Sequence, residues 1–280
     1  MSALLALTSS GLWGTADFYG GLLSRRLRTL AVIVVSQAFA LLGIAVVVLV
    51  GAVAAGAPPV GSYLWYGVGC GLIGPVALAA FYRALALGPM GLVAPIAATG
   101  VSVPVLVGLL GGERLLPAHV AGIAVAVTGI VLASGPELRG RQGGGPGLLL
   151  AGVAALGFGC VFVLIAAGAE TSVPMTLLTQ RATNLVVGLA ALFAVRQRLG
   201  LQRGDLRLLA FVGLADMAAN GTYGLASQAG LLTVSAVLAS LYPVVTALLA
   251  RQLLGERLRR VQLVGVGAAL AGVLLLAGAG

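Results

Sequence analysis

The sequence lacks lysine entirely and holds few ionisable residues of any other kind. Its sixteen basic residues are all arginines, and only seven acids and one histidine accompany them in 280 residues. A soluble domain carries roughly 25% charged residues, whereas this chain has 8% charged and 60% hydrophobic residues. So few charges cannot cover a water-facing surface. The composition therefore excludes an ordinary soluble globular domain.

The scarcity of cysteine and histidine limits the chemistry that the chain can perform. Cys70 and Cys160 both lie in apolar runs, and neither has a second cysteine or His119 at the spacing of a metal site. The glycine run at 143–145 lacks the following Lys-Ser/Thr of a phosphate-binding loop. The arginines that give the net charge of +9 lie in short links and not on one surface. We therefore expect no cofactor, no metal and no nucleic-acid partner.

Long apolar runs fill most of the chain. A membrane-spanning helix needs about 20 apolar residues to cross a hydrocarbon core about 30 Å thick. Breaks in hydropathy divide the sequence into ten such runs, at 3–23, 30–54, 63–87, 92–110, 117–134, 148–167, 173–195, 206–228, 233–254 and 261–277. The pattern predicts an all-α membrane protein with ten transmembrane helices.

An internal repeat divides the runs into two sets of five. Gly-Glu-Arg-Leu occurs at 112–115 and again at 255–258, and Trp13-Gly14 aligns with Phe158-Gly159 at nearly the same offset. Glycine and charged residues concentrate between the halves. We therefore predict one five-helix unit at 1–135, a linker at 136–146 and a second unit at 147–280.

The arginine distribution predicts how the two units lie in the membrane. Five spans is an odd number, so the second unit must enter the membrane upside down relative to the first. Links after odd-numbered runs, counted with the ends of the runs beside them, hold fourteen of the sixteen arginines, and links after even-numbered runs hold one. Because positive loops stay in the cytoplasm, we expect both termini in the periplasm, with the chain in a bacterial inner membrane.

The repeated Gly-Glu-Arg-Leu, the Trp-Gly of the first run and the ten-run, two-half organisation resemble the drug/metabolite transporter superfamily. The similarity is greatest to its ten-span EamA-type branch, and within that to the YddG-like amino-acid exporters. The resemblance implies a transporter fold and an amino-acid or related substrate. Two features depart from the family pattern: the first run carries Asp17, whereas small multidrug members have a glutamate within their first span, and Pro104 lies one helical turn closer to its Glu-Arg-Leu than Pro243 does to the second copy. Many relatives are also drawn with cytoplasmic termini.

Polar side chains inside the runs are the candidate site, because a charged group at the membrane centre costs about 2.5–3.5 kcal/mol or more. The eighth run places four of them on one helical face by spacings of four, three and four, and the seventh run offers a similar stripe. Further candidates come from the first, third and fourth runs. The predicted substrate-binding residues are Trp13, Asp17, Tyr82, Thr99, Ser102, Gln180, Asn184, Asp216, Asn220, Tyr223 and Ser227.

The roles of the charged candidates stay open at this stage. Arg181, within the seventh run, could extend outward to the interface, pair with Asp17 or Asp216, or bind a substrate carboxylate. Asp17 could couple transport to protons, or Arg25 or Arg83 could neutralise it. Tyr82 could equally be an interfacial tyrosine. The polar face of the eighth run could also serve only to hydrogen-bond that helix to a neighbouring one.

Two functions from different classes fit the sequence. The first is a secondary transporter that exports amino acids, related metabolites or cationic drugs by alternating access. In this interpretation the protein is not an enzyme, and we expect a monomer in contact with membrane lipid. The second is an intramembrane enzyme acting on lipid or prenyl groups. Catalysis of that kind needs clustered His, Asp or Glu, whereas only Asp17 and Asp216 lie well inside the runs. A pore would need a ring of charges, which the sequence does not show.

Overall fold

A computed structural model describes residues 1–56, 60–87, 93, 96–133, 146–196, 199–254 and 259–278. These residues form helices joined by short connections, and no strand occurs among them. The α-helices, in chain order, are α1 (Ser2–Arg26), α2 (Thr29–Ala55), α3 (Tyr63–Leu87), α4 (Ser102–Leu110), α5 (Pro117–Ala133), α6 (Pro146–Ala169), α7 (Val173–Ala194), α8 (Arg203–Ala229), α9 (Leu232–Ala239), α10 (Tyr242–Leu254) and α11 (Arg260–Gly278), with a 3-10 turn at Thr99–Val101 before α4.

Five helical segments in the described part of the chain are long and apolar enough to cross a membrane. They are Thr29–Ala54, Tyr63–Leu87, Leu149–Ala169, Val173–Ala194 and Leu232–Leu253. Three apolar segments are shorter, at Ile96–Leu110, Pro117–Leu132 and Arg260–Leu276. The predicted all-helical membrane fold is confirmed. The count of ten spans and the inversion of the second half stay predictions.

The predicted linker lies outside the described residues except for Pro146, which begins α6. The second Gly-Glu-Arg-Leu, at 255–258, lies outside them as well. The predicted run 233–254 is not one helix, because α9 ends at Ala239 and α10 begins at Tyr242. Pro243 lies in the first turn of α10, where its missing N–H leaves no hydrogen bond unmade. A helix therefore restarts at this proline.

Glu113 holds the start of α9. Its Oε1 accepts a hydrogen bond of 2.6 Å from the backbone N–H of Leu232, and its Oε2 accepts one of 3.1 Å from that of Thr233. A carboxylate at a helix N-terminus satisfies free N–H groups and complements the helix dipole. Glu113 thus caps a helix that begins more than a hundred residues further along the chain.

Helix pairs recur in matched sets when α1, α2, α3 and α5 are put in correspondence with α6, α7, α8 and α11. The packing of α1 on α8 matches that of α6 on α3, and the packing of α2 on α8 matches that of α7 on α3. When each helix is replaced by its counterpart, the pair of α2 with α7 is again α2 with α7, and the pair of α5 with α11 is again α5 with α11. Such reciprocity is the contact pattern of two similar units around a two-fold axis.

Glycine contacts show the same reciprocity at single residues. A Cβ added to Gly129 of α5 would overlap the backbone of Ala269, and one added to Gly272 of α11 would overlap the backbone of Ala126. The two glycines and the two alanines are each 143 positions apart. Small residues allow close backbone approach between membrane helices. The α5–α11 contact is therefore self-complementary in sequence and in space.

This close approach predicts opposite effects for two matched substitutions in α11. Gly272→Ala should reduce the free energy of unfolding by about 1–3 kcal/mol, because the new methyl group overlaps Ala126. The apparent melting temperature in detergent should fall accordingly. Gly267→Ala should leave it unchanged or raise it, since nothing lies within 4 Å of that position and alanine favours helix. Equal melting temperatures for the two variants would show that α5 and α11 do not pack so closely.

Candidate functional site

A cavity of about 70 Å³ lies among the helices of both halves. That volume holds a few water molecules at most. Residues of α1, α2 and α3 line the cavity together with residues of α6, α7, α8 and α10. Its polar and aromatic wall consists of Trp13, Asp17, Gln37, Phe158, Phe162, Gln180, Arg181, Asn184, Asp216, Asn220 and Tyr242.

A buried ion pair crosses the cavity wall between α7 and α8. The Nη1 of Arg181 lies 2.7 Å from the Oδ2 of Asp216, and the arginine side chain is 2% exposed. Arg181 therefore turns inward to an acid and does not extend toward the interface, which decides one of the alternatives left open by the sequence. Two buried charges are tolerated only when they are paired and hydrogen-bonded.

Asp216 receives a full set of hydrogen bonds. Its Oδ2 accepts from Arg181 and from the Nε2 of Gln37 at 3.2 Å. Its Oδ1 accepts from the Nε1 of Trp13 at 3.0 Å and from the Nδ2 of Asn220 at 3.1 Å. A carboxylate has about four lone-pair positions, and all of them are used here. Four different helices are tied together at this one carboxylate.

Gln37 relays the network from α2 to α7. Its Oε1 accepts from the Nη1 of Arg181 at 2.6 Å and from the Nδ2 of Asn184 at 3.0 Å. An arginine can only donate, so the atom of Gln37 that faces it must be the oxygen. The atom of Asn184 that faces this oxygen must then be its nitrogen. The remaining Oδ1 of Asn184 is therefore an acceptor.

An aromatic stack supports the other side of the site. The rings of Trp13 and Phe162 stack with centroids 5.0 Å apart, and those of Phe162 and Tyr223 with centroids 4.7 Å apart. The hydroxyl of Tyr223 donates to the backbone carbonyl of Phe162 at 3.2 Å. Tyr223 thus packs against Phe162 on the side away from the cavity and does not line the cavity itself. Stacking of this kind fixes the indole ring that donates to Asp216.

Asp17 differs sharply from Asp216. It lines the same cavity and is 8% exposed. Within the described residues it forms no salt bridge and accepts no hydrogen bond, and neither Arg25 nor Arg83 pairs with it. An ionised carboxylate in such surroundings is costly unless a cation compensates it. Asp17 is the one predicted acid in the cavity wall that has neither a cation nor a hydrogen-bond donor as a partner among the described side chains.

The structure brings six of the predicted site residues to the cavity and leaves five elsewhere. The six are Trp13, Asp17, Gln180, Asn184, Asp216 and Asn220. Thr99 and Ser102 lie in a separate cleft against α6, and Ser227 donates to the backbone of its own helix at Gly224. Tyr82 is buried against Gly20 of α1, and Tyr223 lies behind the stack.

Sequence reasoning missed Gln37, Phe162 and Tyr242. A signal existed for Gln37, because Ser36-Gln37 is a polar pair inside the otherwise apolar second run, and a polar group at that depth usually has a partner. Phe162 and Tyr242 gave no such signal, since aromatic residues are common in membrane helices. Among the described residues, no three His, Cys, Asp or Glu side chains lie together as a metal site would need.

Residues 145–278 match the family model described as the EamA-like transporter family. Residues 145–278 are therefore similar to an EamA-like transporter domain. This confirms the resemblance predicted from the sequence, at the level of the superfamily. The EamA-like family consists of membrane transporters of small molecules, and with its apolar helices the chain is a multi-pass membrane protein.

The overall fold also has a counterpart among solved structures. One, described only as "Crystal structure of protein", superposes with a TM-score of 0.76 at 22% identity, over 98% of this chain and 95% of that one. At this identity the likeness concerns the fold alone. No curated protein matches the chain.

Proposed function

We propose that the protein is a secondary transporter that exports amino acids or related small metabolites across a bacterial inner membrane by alternating access. The observation that carries this proposal is the polar cavity, buried in an apolar helical protein and built around the Arg181–Asp216 pair. Charged groups at such depth usually mark a solute path. Export and the amino-acid substrate are supported by the resemblance to YddG-like exporters.

The position of the cavity supports alternating access. Its wall combines helices from residues 1–135 with helices from residues 147–280, which we propose as the two repeat units. Transporters built from inverted repeats bind their solutes between the repeats, often beside interrupted helices. The break between α9 and α10 adjoins Tyr242 in the cavity wall. Rocking of one unit against the other would expose this wall to each side in turn.

The reciprocal contacts support the relation between the units. The α5–α11 glycine contacts and the matched helix pairs are those of a two-fold axis. If each unit crosses the membrane five times, this axis must lie in the membrane plane. We propose ten spans in two inverted units on these grounds, with a single chain as the transporting species.

The six lining residues are the proposed solute contacts. Asp216 and Asn220 form the fixed base of the network, while Asp17, Gln180 and Asn184 retain free acceptor atoms. Trp13 adds an aromatic face. The alternative of an intramembrane enzyme gains no support from the EamA-like family, which consists of transporters. Cationic drugs stay a second class of solute, since the cavity holds more acids than bases.

Both termini are expected in the periplasm. A fluorescent protein fused after Gly280 should therefore stay dark, because it does not fold into its fluorescent form after export by the general secretory route, and an alkaline phosphatase fused there should be active. The arginine distribution is the physical reason. A matched pair of fusions in the predicted cytoplasmic link after Arg28 should give the opposite result. A fluorescent and phosphatase-negative fusion at Gly280 would contradict the orientation.

Transport itself is tested by counterflow into proteoliposomes. Vesicles loaded with one unlabelled amino acid should accumulate the same labelled amino acid from outside, over a panel covering each side-chain class. Empty vesicles and vesicles with the Asp216→Asn variant are the controls. Absence of counterflow for every amino acid, for amines and for cationic drugs would contradict the proposed function.

A further inference from the structure

Three side chains in the cavity wall have acceptor atoms without a hydrogen-bond partner. The Oε1 of Gln180 and the Oδ1 of Asn184 are buried and accept no bond from the described residues. The carboxylate of Asp17 accepts none either. These side chains are 2%, 5% and 8% exposed, respectively. A buried acceptor left unpaired is costly, so a donor from a solute would be favoured here.

The balance of charge points to a cation. Two carboxylates and one guanidinium line the cavity, those of Asp17, Asp216 and Arg181. Arg181 and Asp216 neutralise each other at 2.7 Å, and all four acceptor positions of Asp216 are filled. The carboxyl group of Asp17 has no cation paired with it among the described side chains. A cation bound beside it would favour its ionised form, whereas a solute carboxylate would be repelled by it.

The aromatic side chains of the wall act in the same direction. Trp13, Phe162 and Tyr242 face the cavity that Asp17 lines, and Trp13 stacks on Phe162 with a centroid distance of 5.0 Å. An aromatic face attracts a cation by about 0.5–2 kcal/mol. Two donors also lack partners, the Nε of Arg181 and the hydroxyl of Tyr242. They are placed to donate to a neutral oxygen of the same solute.

We propose that the cavity recognises its solute by a primary ammonium group, accepted by Asp17, Gln180 and Asn184, and that a carboxylate on the solute is not required. An ammonium group presents three N–H donors, which matches three free acceptors. The inference names the chemical class bound by the proposed transporter and rests on that proposed function for its role in transport. It makes primary amines and amino-acid amides ligands alongside amino acids.

The test is a binding panel in which a single side chain carries different charged groups. Isoamylamine, leucinamide, leucine and 4-methylpentanoate share one branched chain, and their amine and acid groups are ionised at pH 7. Binding to the purified full chain is measured by calorimetry. The three ammonium compounds should bind, and 4-methylpentanoate should bind at least about 100-fold more weakly. Binding of the acid as tightly as leucine, or of none of the four compounds, would overturn the proposal.

Substitution of Asp17 separates recognition from folding. Asp17→Asn should weaken isoamylamine binding by roughly tenfold to a hundredfold, because a charge-assisted hydrogen bond is lost, while the melting temperature of the unliganded protein stays the same or rises. Thr15→Ala on the same helix is the control, since the Thr15 hydroxyl bonds only its own helix backbone, and its isoamylamine affinity should be unchanged. Wild-type affinity in Asp17→Asn would overturn the assignment.

Failure of this inference is distinguishable from failure of the proposed function. If leucine undergoes counterflow and 4-methylpentanoate inhibits it while isoamylamine does not, the transporter proposal stands and ammonium recognition is wrong. If the ammonium compounds bind and none undergoes counterflow, ammonium recognition stands and the transporter proposal fails for these solutes.

Discussion

Removal of either charge of the Arg181–Asp216 pair is expected to destabilise the protein by about 3–5 kcal/mol, because the remaining charge is left buried without its partner. Arg181→Gln and Asp216→Asn should each lower the melting temperature in detergent and abolish counterflow. The expected loss is large because Asp216 also anchors Trp13, Gln37 and Asn220. The melting temperature is measured from the fluorescence of a dye that does not react with cysteine thiols.

The double variant Arg181→Gln with Asp216→Asn separates stability from transport. Neutral replacement of both members of a buried pair is often tolerated, so the melting temperature should recover most of the loss while counterflow stays absent. Arg26→Gln serves as the control, because that arginine is 53% exposed and its partner Asp205 keeps the hydrogen bond from the backbone N–H of Gln202. Such a pair contributes about 0–1 kcal/mol. Single variants as stable as Arg26→Gln would contradict the buried network.

The sequence predicted the helical face of α8 correctly in part. The spacing of Asp216 and Asn220 follows helical geometry, and both line the cavity. Ser227 shares that spacing but lies about three turns beyond Asp216, where it donates to its own helix at Gly224. Helical periodicity predicts the direction in which a side chain points from its helix axis. It does not predict which neighbouring helix packs against that face at each level along the helix.

The partners of Asp216 could not be predicted for the same reason. Gln37, Arg181 and Trp13 come from three other helices, and no spacing within one helix relates them. Pairing of Arg181 with an acid was one hypothesis, and only the packing of α7 on α8 selects Asp216 over Asp17. A single polar residue such as Gln37 carries no periodic signal at all.

The internal repeat carried more structural information than any single motif. The alignment of 112–133 with 255–276 predicted two similar units, and the α5–α11 glycine contacts follow that same offset of 143. The alignment could not show that α9 and α10 are separate helices, because Pro243 reads equally well as a kink or as a first-turn residue. Thr99 and Ser102, in the corresponding part of the first half, lie in a separate cleft against α6.

The central claim is that solutes pass through this cavity, and water access to its wall tests that claim most directly. Leu78 of α3 lines the cavity, whereas Val76, two residues away, is 57% exposed on the outer surface of the helix. Each is replaced by cysteine in a chain that lacks Cys70 and Cys160, and the rate of modification by a water-soluble thiosulfonate is measured in proteoliposomes. A water-soluble reagent reaches a thiol in an aqueous path, and a thiol facing lipid reacts poorly because it stays protonated.

The account predicts that Leu78→Cys reacts faster than Val76→Cys, that a counterflow solute slows the reaction at position 78 alone, and that modification there stops counterflow. Equal rates at the two positions, or full counterflow after position 78 is modified, would contradict the assignment of this cavity as the solute path.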